Sequence, residues 1–175
     1  AAIWYGYLLV KNTSQYFGPK GSIAKITNGM NCSNCHLDAG TKPLGLNFGS
    51  VYSTYPKFRE RSGTIETIYK RVNDCFERSL NGRILDTNSK EMHAIYAYIK
   101  WLGQDIKKGE KVRGSGYENI PFMQLAANPS EGSHLYYLKC ASCHQSNGQG
   151  VLDKNSASYI YPPLWGEHSY NDGAG

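Results

Sequence analysis

Cys32-Ser33-Asn34-Cys35-His36 and Cys140-Ala141-Ser142-Cys143-His144 are two copies of one pattern, C-x-x-C-H. Two thiols at this spacing can bond the two vinyl groups on one edge of a porphyrin, and the His that follows reaches the iron from the proximal side. That is the attachment chemistry of c-type haem. Other uses of paired cysteines fit poorly. A zinc ribbon sets its second pair about 15–20 residues after the first, far less than the gap between Cys35 and Cys140, and it gives no reason for a His after each pair. A thioredoxin-type pair needs a βαβ setting, and none is visible. A disulfide framework uses an even number of cysteines, whereas this chain has five. Two covalently bound haem c groups are therefore expected, with Cys32, Cys35, Cys140 and Cys143 as thioether positions and His36 and His144 as iron ligands.

Working outward, the elements around each motif read as helices and loops. Residues 3–17 read as a short amphipathic helix, and residues 18–31 as a Gly-rich approach to the first motif. Residues 37–63 read as a loop packed over haem. Ile65, Ile68, Val72, Phe76 and Leu80 recur at three and four, which predicts a helix over 64–80 stopped by Asn81-Gly82. Met92, Ile95, Ile99 and Leu102 predict a second over 89–102, with Asn88 and Glu91 as a capping box. Residues 104–129 are punctuated by Gly and Pro, and Ser130 is placed to cap a helix running into the second motif. The fold class is all-α: two cytochrome c-type haem domains, 1–103 and 130–175, joined by a connector over 104–129. The second copy lacks the closing helix of the first. No Met follows His144, and its downstream nitrogen donors are Lys154 and His168. A shortened chain is the expectation, with any signal peptide already removed.

The 175 residues carry 13% aromatics, 19% charged residues and a mean hydropathy of −0.52. No run approaches the ~20 apolar residues of a spanning helix, and the aromatic content argues against disorder. A net charge of +5 suits an anionic substrate or an acidic partner. No run of five Lys or Arg is present, so nucleic acid is not expected.

The fifth cysteine departs from the pattern. Cys75 lies mid-helix with Arg71 four residues before it, Arg78 three after and Ser79 four after, positions that share a helical face. Guanidinium groups favour a thiolate, and thiolate is a strong haem-iron ligand. Residues 53–83 hold seven cations against four carboxylates. Pairing with haem propionates and an anion pocket beside a reactive sulfur both remain open uses for them.

The stretch TIETIYKRVNDCFERSLNGR, with NGMNCSNCHLDAG before it and SKEMHAIYAYIKWL after it, resembles the dihaem thiosulfate dehydrogenases, some of which act as tetrathionate reductases. CASCHQSNGQG and YPPLWGEHSYNDGAG extend the resemblance through the second half. It implies an oxidoreductase that interconverts thiosulfate and tetrathionate, with a first haem held by His36 and Cys75 and a second haem relaying electrons. It implies Arg61, Arg71 and Ser79 as further site residues, a small electron donor or acceptor such as another cytochrome c as partner, and a periplasmic or otherwise extracytoplasmic location. The rival reading is a non-enzymatic dihaem electron carrier, or a subunit of a larger sulfur-oxidising complex.

Overall fold

The computed structural model describes residues 1–60, 62–119, 121–153 and 159–169. It divides into two compact units, Ala1–Glu118 and Asn119–Gly175.

The first unit is organised by α1 (Ala2–Lys11) packed on α6 (Lys90–Gly103). Gly6 makes the close crossing possible, since a Cβ there would lie 2.0 Å from the Ala94 carbonyl oxygen. Leu9 and Val10 from α1 meet Met92, Ile95 and Ile99 from α6 in one core, each at most 3% exposed. Phe17, at the end of α2 (Thr13–Phe17), packs edge-on against Phe76 at 5.5 Å between ring centroids. The expected 3–17 helix is thus two helices broken at Asn12, whose φ of −123° leaves the helical region. The α6 periodicity is realised, but its cap is Ser89, which accepts from Met92 N, rather than Asn88.

The 64–80 stretch is not one helix. Residues 64–66 form β2 (Thr64–Glu66), antiparallel to β1 (Lys57–Arg59). Thr67 then caps α5 (Ile68–Asp74) by accepting from Lys70 N at 3.2 Å. From Cys75 to Ser79 the chain widens into a π-helical turn, a distortion that recurs at functional sites. Asn73 holds the following loop, donating to Leu85 O and accepting from Leu85 N, both at 2.9 Å. The 37–63 segment contains two short helical turns, α3 (Leu37–Gly40) and α4 (Val51–Thr54). Asp38, Ala39, Leu44 and Leu46 all take left-handed backbone angles, a cost of roughly 1 kcal/mol or more per non-glycine residue.

The front half of the expected connector lies on the first unit. Leu44 N donates to Gly114 O at 2.7 Å, Leu46 N to Gly116 O at 2.8 Å and Ser53 Oγ to Glu110 O at 2.6 Å.

The second unit opens with α7 (Pro129–Lys139), which begins one residue earlier than Ser130. Asn128 caps it by accepting from Glu131 N, with Pro129 at the first helical position. The short α8 (Ala141–His144) carries the second motif, and β3 (Val151–Leu152) pairs with β4 (Tyr159–Tyr161). No residue of α7 is buried, and Leu135, Tyr137 and Leu138 are 47–63% exposed. Among the described residues, no helix is long and apolar enough to cross a membrane.

Candidate functional site

The first C-x-x-C-H turn is docked onto the α1–α2 junction by side chains chosen for it. Thr13 Oγ1 accepts from Cys32 N at 3.0 Å while it lies 2.9 Å from Leu9 O and 3.2 Å from Cys32 Sγ. Asn31 Oδ1 accepts from Ser14 N at 2.8 Å, and Ser33 Oγ donates to Lys11 O at 2.9 Å. The turn is closed internally by His36 N donating to Cys32 O at 2.8 Å. His36 is oriented by its own ring nitrogen: Nδ1–H donates to Leu46 O at 2.6 Å. A carbonyl can only accept, so this bond fixes the tautomer and leaves Nε2 with a free lone pair. Phe48 lies against the ring at 4.4 Å between centroids. Burial lowers the imidazole pKa, and the charge of Arg71 lowers it further, which keeps the ring in the neutral form that binds metal.

His36, Cys32 and Cys35 face a cavity of about 430 Å³. Much of its wall is apolar, formed by residues such as Val10, Phe48, Ile68, Phe76 and Ile99. Cys75, Arg71 and Ser79 line the same cavity. Burial pushes the Cys75 thiol up from its ordinary value, opposed by the Arg71 guanidinium and by a hydrogen bond with Ser79. The expectation from sequence that guanidinium groups flank Cys75 is met by Arg71 alone, because Arg78 is exposed and does not line the cavity. Arg61 lies outside the described residues. The donor set fits a c-type haem: two thiols placed for one porphyrin edge, a neutral imidazole with Nε2 free, an apolar wall, and a sulfur donor able to bind iron.

Of the cations counted over 53–83, Lys57 and Arg59 also line this cavity; sequence reasoning missed one further cation there, Lys111. The first two alternate along β1 around the exposed Phe58, the period-two signature of one strand face. Lys111 arrives on the segment read as connector, and no local signal marks it. Arg59 Nε stands 3.9 Å from Glu66 Oε2, and Lys70 stands 3.8 Å from Glu66 and 2.9 Å from Asp74. Glu66 is 2% exposed, so its charge is held between these two cations.

The second motif repeats the local geometry. His144 N donates to Cys140 O at 2.9 Å, and His144 Nδ1–H donates to Pro162 O at 2.9 Å. Tyr136 OH braces the turn from α7 by donating to Gln145 O at 2.5 Å. Of the nitrogen donors downstream, Lys154 lies outside the described residues. His168 is exposed, with its ring 6.1 Å from that of Tyr159.

Residues 22–107 match the SoxA/TsdA cytochrome c domain, and residues 129–174 match the cytochrome c domain. The chain is 40% identical over 150 residues to a thiosulfate dehydrogenase of Psychrobacter arcticus, covering 86% of this chain and 45% of that protein. It is 38% identical over 156 residues to a thiosulfate dehydrogenase of Allochromatium vinosum, covering 86% and 56%. A solved structure of thiosulfate dehydrogenase (TsdBA) from Marichromatium purpuratum superposes with a TM-score of 0.71 at 29% identity, over 99% of this chain and 37% of that one. The chain spans about half the length of the curated relatives it matches.

Proposed function

The chain joins a SoxA/TsdA cytochrome c domain to a second cytochrome c domain and carries two covalently bound c-type haems, and from that premise we propose that it oxidises thiosulfate to tetrathionate and also catalyses the reverse. One observation carries the reading: a sulfur, Cys75, a guanidinium, Arg71, and a hydroxyl, Ser79, stand on the cavity that also holds the first C-x-x-C-H motif. Cys32 and Cys35 are the thioether positions of the first haem, and His36 and Cys75 its iron ligands. Cys140, Cys143 and His144 are the corresponding positions of the second.

The reaction joins two dianions, 2 S2O3²⁻ → S4O6²⁻ + 2 e⁻. The Cys75 thiolate takes the sulfane sulfur of one thiosulfate, forming Cys75–S–S–SO3⁻ and giving up two electrons. The sulfane sulfur of a second thiosulfate then attacks the sulfur bonded to Cys75 Sγ, forming the central S–S bond of tetrathionate, breaking the Sγ–S bond and restoring the thiolate. Arg71 holds sulfonate oxygens by charge-assisted hydrogen bonds and offsets the repulsion between the two anions. Ser79 donates to the Cys75 sulfur, which stabilises it as a leaving group in the second step. The haems supply one-electron acceptors, and a small redox protein outside the chain takes the electrons onward. A periplasmic or otherwise extracytoplasmic setting accompanies this chemistry, because haem c is attached there.

The test is anaerobic mixing of the oxidised holoprotein with thiosulfate. Reduction of both haems with tetrathionate as product supports the proposal. Haems that stay oxidised with thiosulfate yet reduce readily with a small cytochrome identify an electron carrier instead.

A further inference from the structure

Four cations, Lys57, Arg59, Arg71 and Lys111, line the first cavity, and among the described residues lining it there is no carboxylate. They are not equivalent. Arg59 is engaged with the buried Glu66. Arg71 is the guanidinium that acts on the Cys75 thiol. Lys57 and Lys111 have no such assignment. Lys57 lies with its ammonium 5.0 Å from the centre of the Tyr55 ring, on the inner face of β1. Burial, followed by the charges of Arg59, Lys111 and Arg71, holds its pKa below the ordinary lysine value. Like charges gathered in this way disfavour the charged form, and Glu66 offsets this in part. Lys111 comes from the strap over 110–116, and that strap is pinned at the cavity wall. Ser50 Oγ accepts from Val112 N at 2.8 Å and is hydrogen-bonded to Ser115 Oγ, while Asn47 Nδ2 donates to Gly114 O at 2.5 Å. Ser50, Thr54 and Ser115 add hydroxyls to the same part of the lining.

A haem placed in an otherwise apolar cavity brings two carboxylates of its own, and two buried carboxylates need cations and hydroxyl donors. We infer that Lys57 and Lys111 are the propionate-binding residues of the first haem, with the Ser50–Ser115 pair fixing the strap that delivers Lys111, so that Arg71 is left for the substrate anion. The 110–116 strap is then part of the cofactor site rather than a linker. The inference rests on haem attachment in the first domain and does not depend on thiosulfate chemistry.

The experiment uses the holoprotein with both haems attached, checked by pyridine haemochrome content. Lys57→Gln, Lys111→Gln and the double variant are compared with Lys107→Gln, whose side chain is 82% exposed in the same segment. A positive charge beside a haem favours its reduced form. Each cavity variant is therefore expected to lower the midpoint potential of the first haem and to shift its propionate bending bands in resonance Raman spectra. The second haem's potential, the Lys107→Gln protein and the KM for thiosulfate are expected to stay within twofold or within error of wild type. Lys57→Arg and Lys111→Arg should restore the wild-type spectrum. An unchanged first-haem potential with unchanged propionate bands overturns the inference. So does a tenfold rise in KM with unchanged bands, which would assign the two lysines to substrate binding.

Discussion

His36 donates its Nδ1–H to Leu46 O at 2.6 Å, and His144 donates its own to Pro162 O at 2.9 Å. In both turns the His N–H closes onto the carbonyl of the first cysteine. The difference lies in what surrounds them. The first turn is seated on α1 and α2 and faces a walled cavity with a further sulfur and four cations. Among the described residues, every buried hydrophobic of the core belongs to the first unit, whereas α7, which leads into the second turn, has no buried residue. The motif therefore sets proximal geometry alone. Under the proposed function the chemistry belongs to the housing, with reaction assigned to the first and relay to the second.

The sharpest way to break that division is Cys75→Ser. It should keep two haems while thiosulfate turnover falls by about 10³-fold or more, as removal of a nucleophile does. Steady-state turnover above a tenth of wild type would place the reaction elsewhere. Next comes Arg71→Gln, expected to cost about 10²-fold in kcat/KM, the scale for losing one charged stabiliser of a reacting anion. Saturation with thiosulfate at full kcat would reduce Arg71 to a steering role.

Stability should divide along the same line. Met92 is 0% exposed and Leu138 is 63% exposed. Met92→Ala is expected to cost about 2–5 kcal/mol, and Leu138→Ala less than about 0.5 kcal/mol, both by denaturant titration of the holoprotein. Equal costs would mean that α7 is covered in solution. The smallest effect is alkaline. Tyr98 OH donates to Ala39 O at 2.9 Å, and burial, reinforced by Tyr7, pushes its pKa from 10.0 up to about 12. A folded pKa above the unfolded one gives stability that is complete below pH 10 and is lost as pH rises through 12. Tyr98→Phe should flatten the fall in stability over that range, and an unaltered slope would assign it to other groups.

Much of this was legible in the sequence. The two C-x-x-C-H turns fix their own local geometry, and α6 follows from its apolar spacing and a Ser cap one residue from the expected position. The stretch leading into Cys75 was misread because Ile65 fits a helical stripe. Its neighbours Thr64 and Glu66 pair instead with the strand carrying Lys57 and Arg59, and strand pairing is a long-range event that periodicity does not register. Cys75 stood out by its neighbours, yet Arg78 was counted among them although the π turn leaves it exposed. Lys111 was unreadable for a different reason. Its place in the cavity depends on hydrogen bonds from residues more than sixty positions earlier in the chain.

Both proximal histidines are oriented by main-chain carbonyls rather than by side chains. A carbonyl is present whatever amino acid occupies the position, and the two acceptors here are a leucine, ten residues downstream, and a proline, eighteen downstream. The wiring of each proposed axial ligand is thus insulated from point substitution at the acceptor, and it tolerates loops of different length. A lineage can diversify the segments after each haem motif, and with them substrate preference and partner choice, without having to rebuild the iron centre each time.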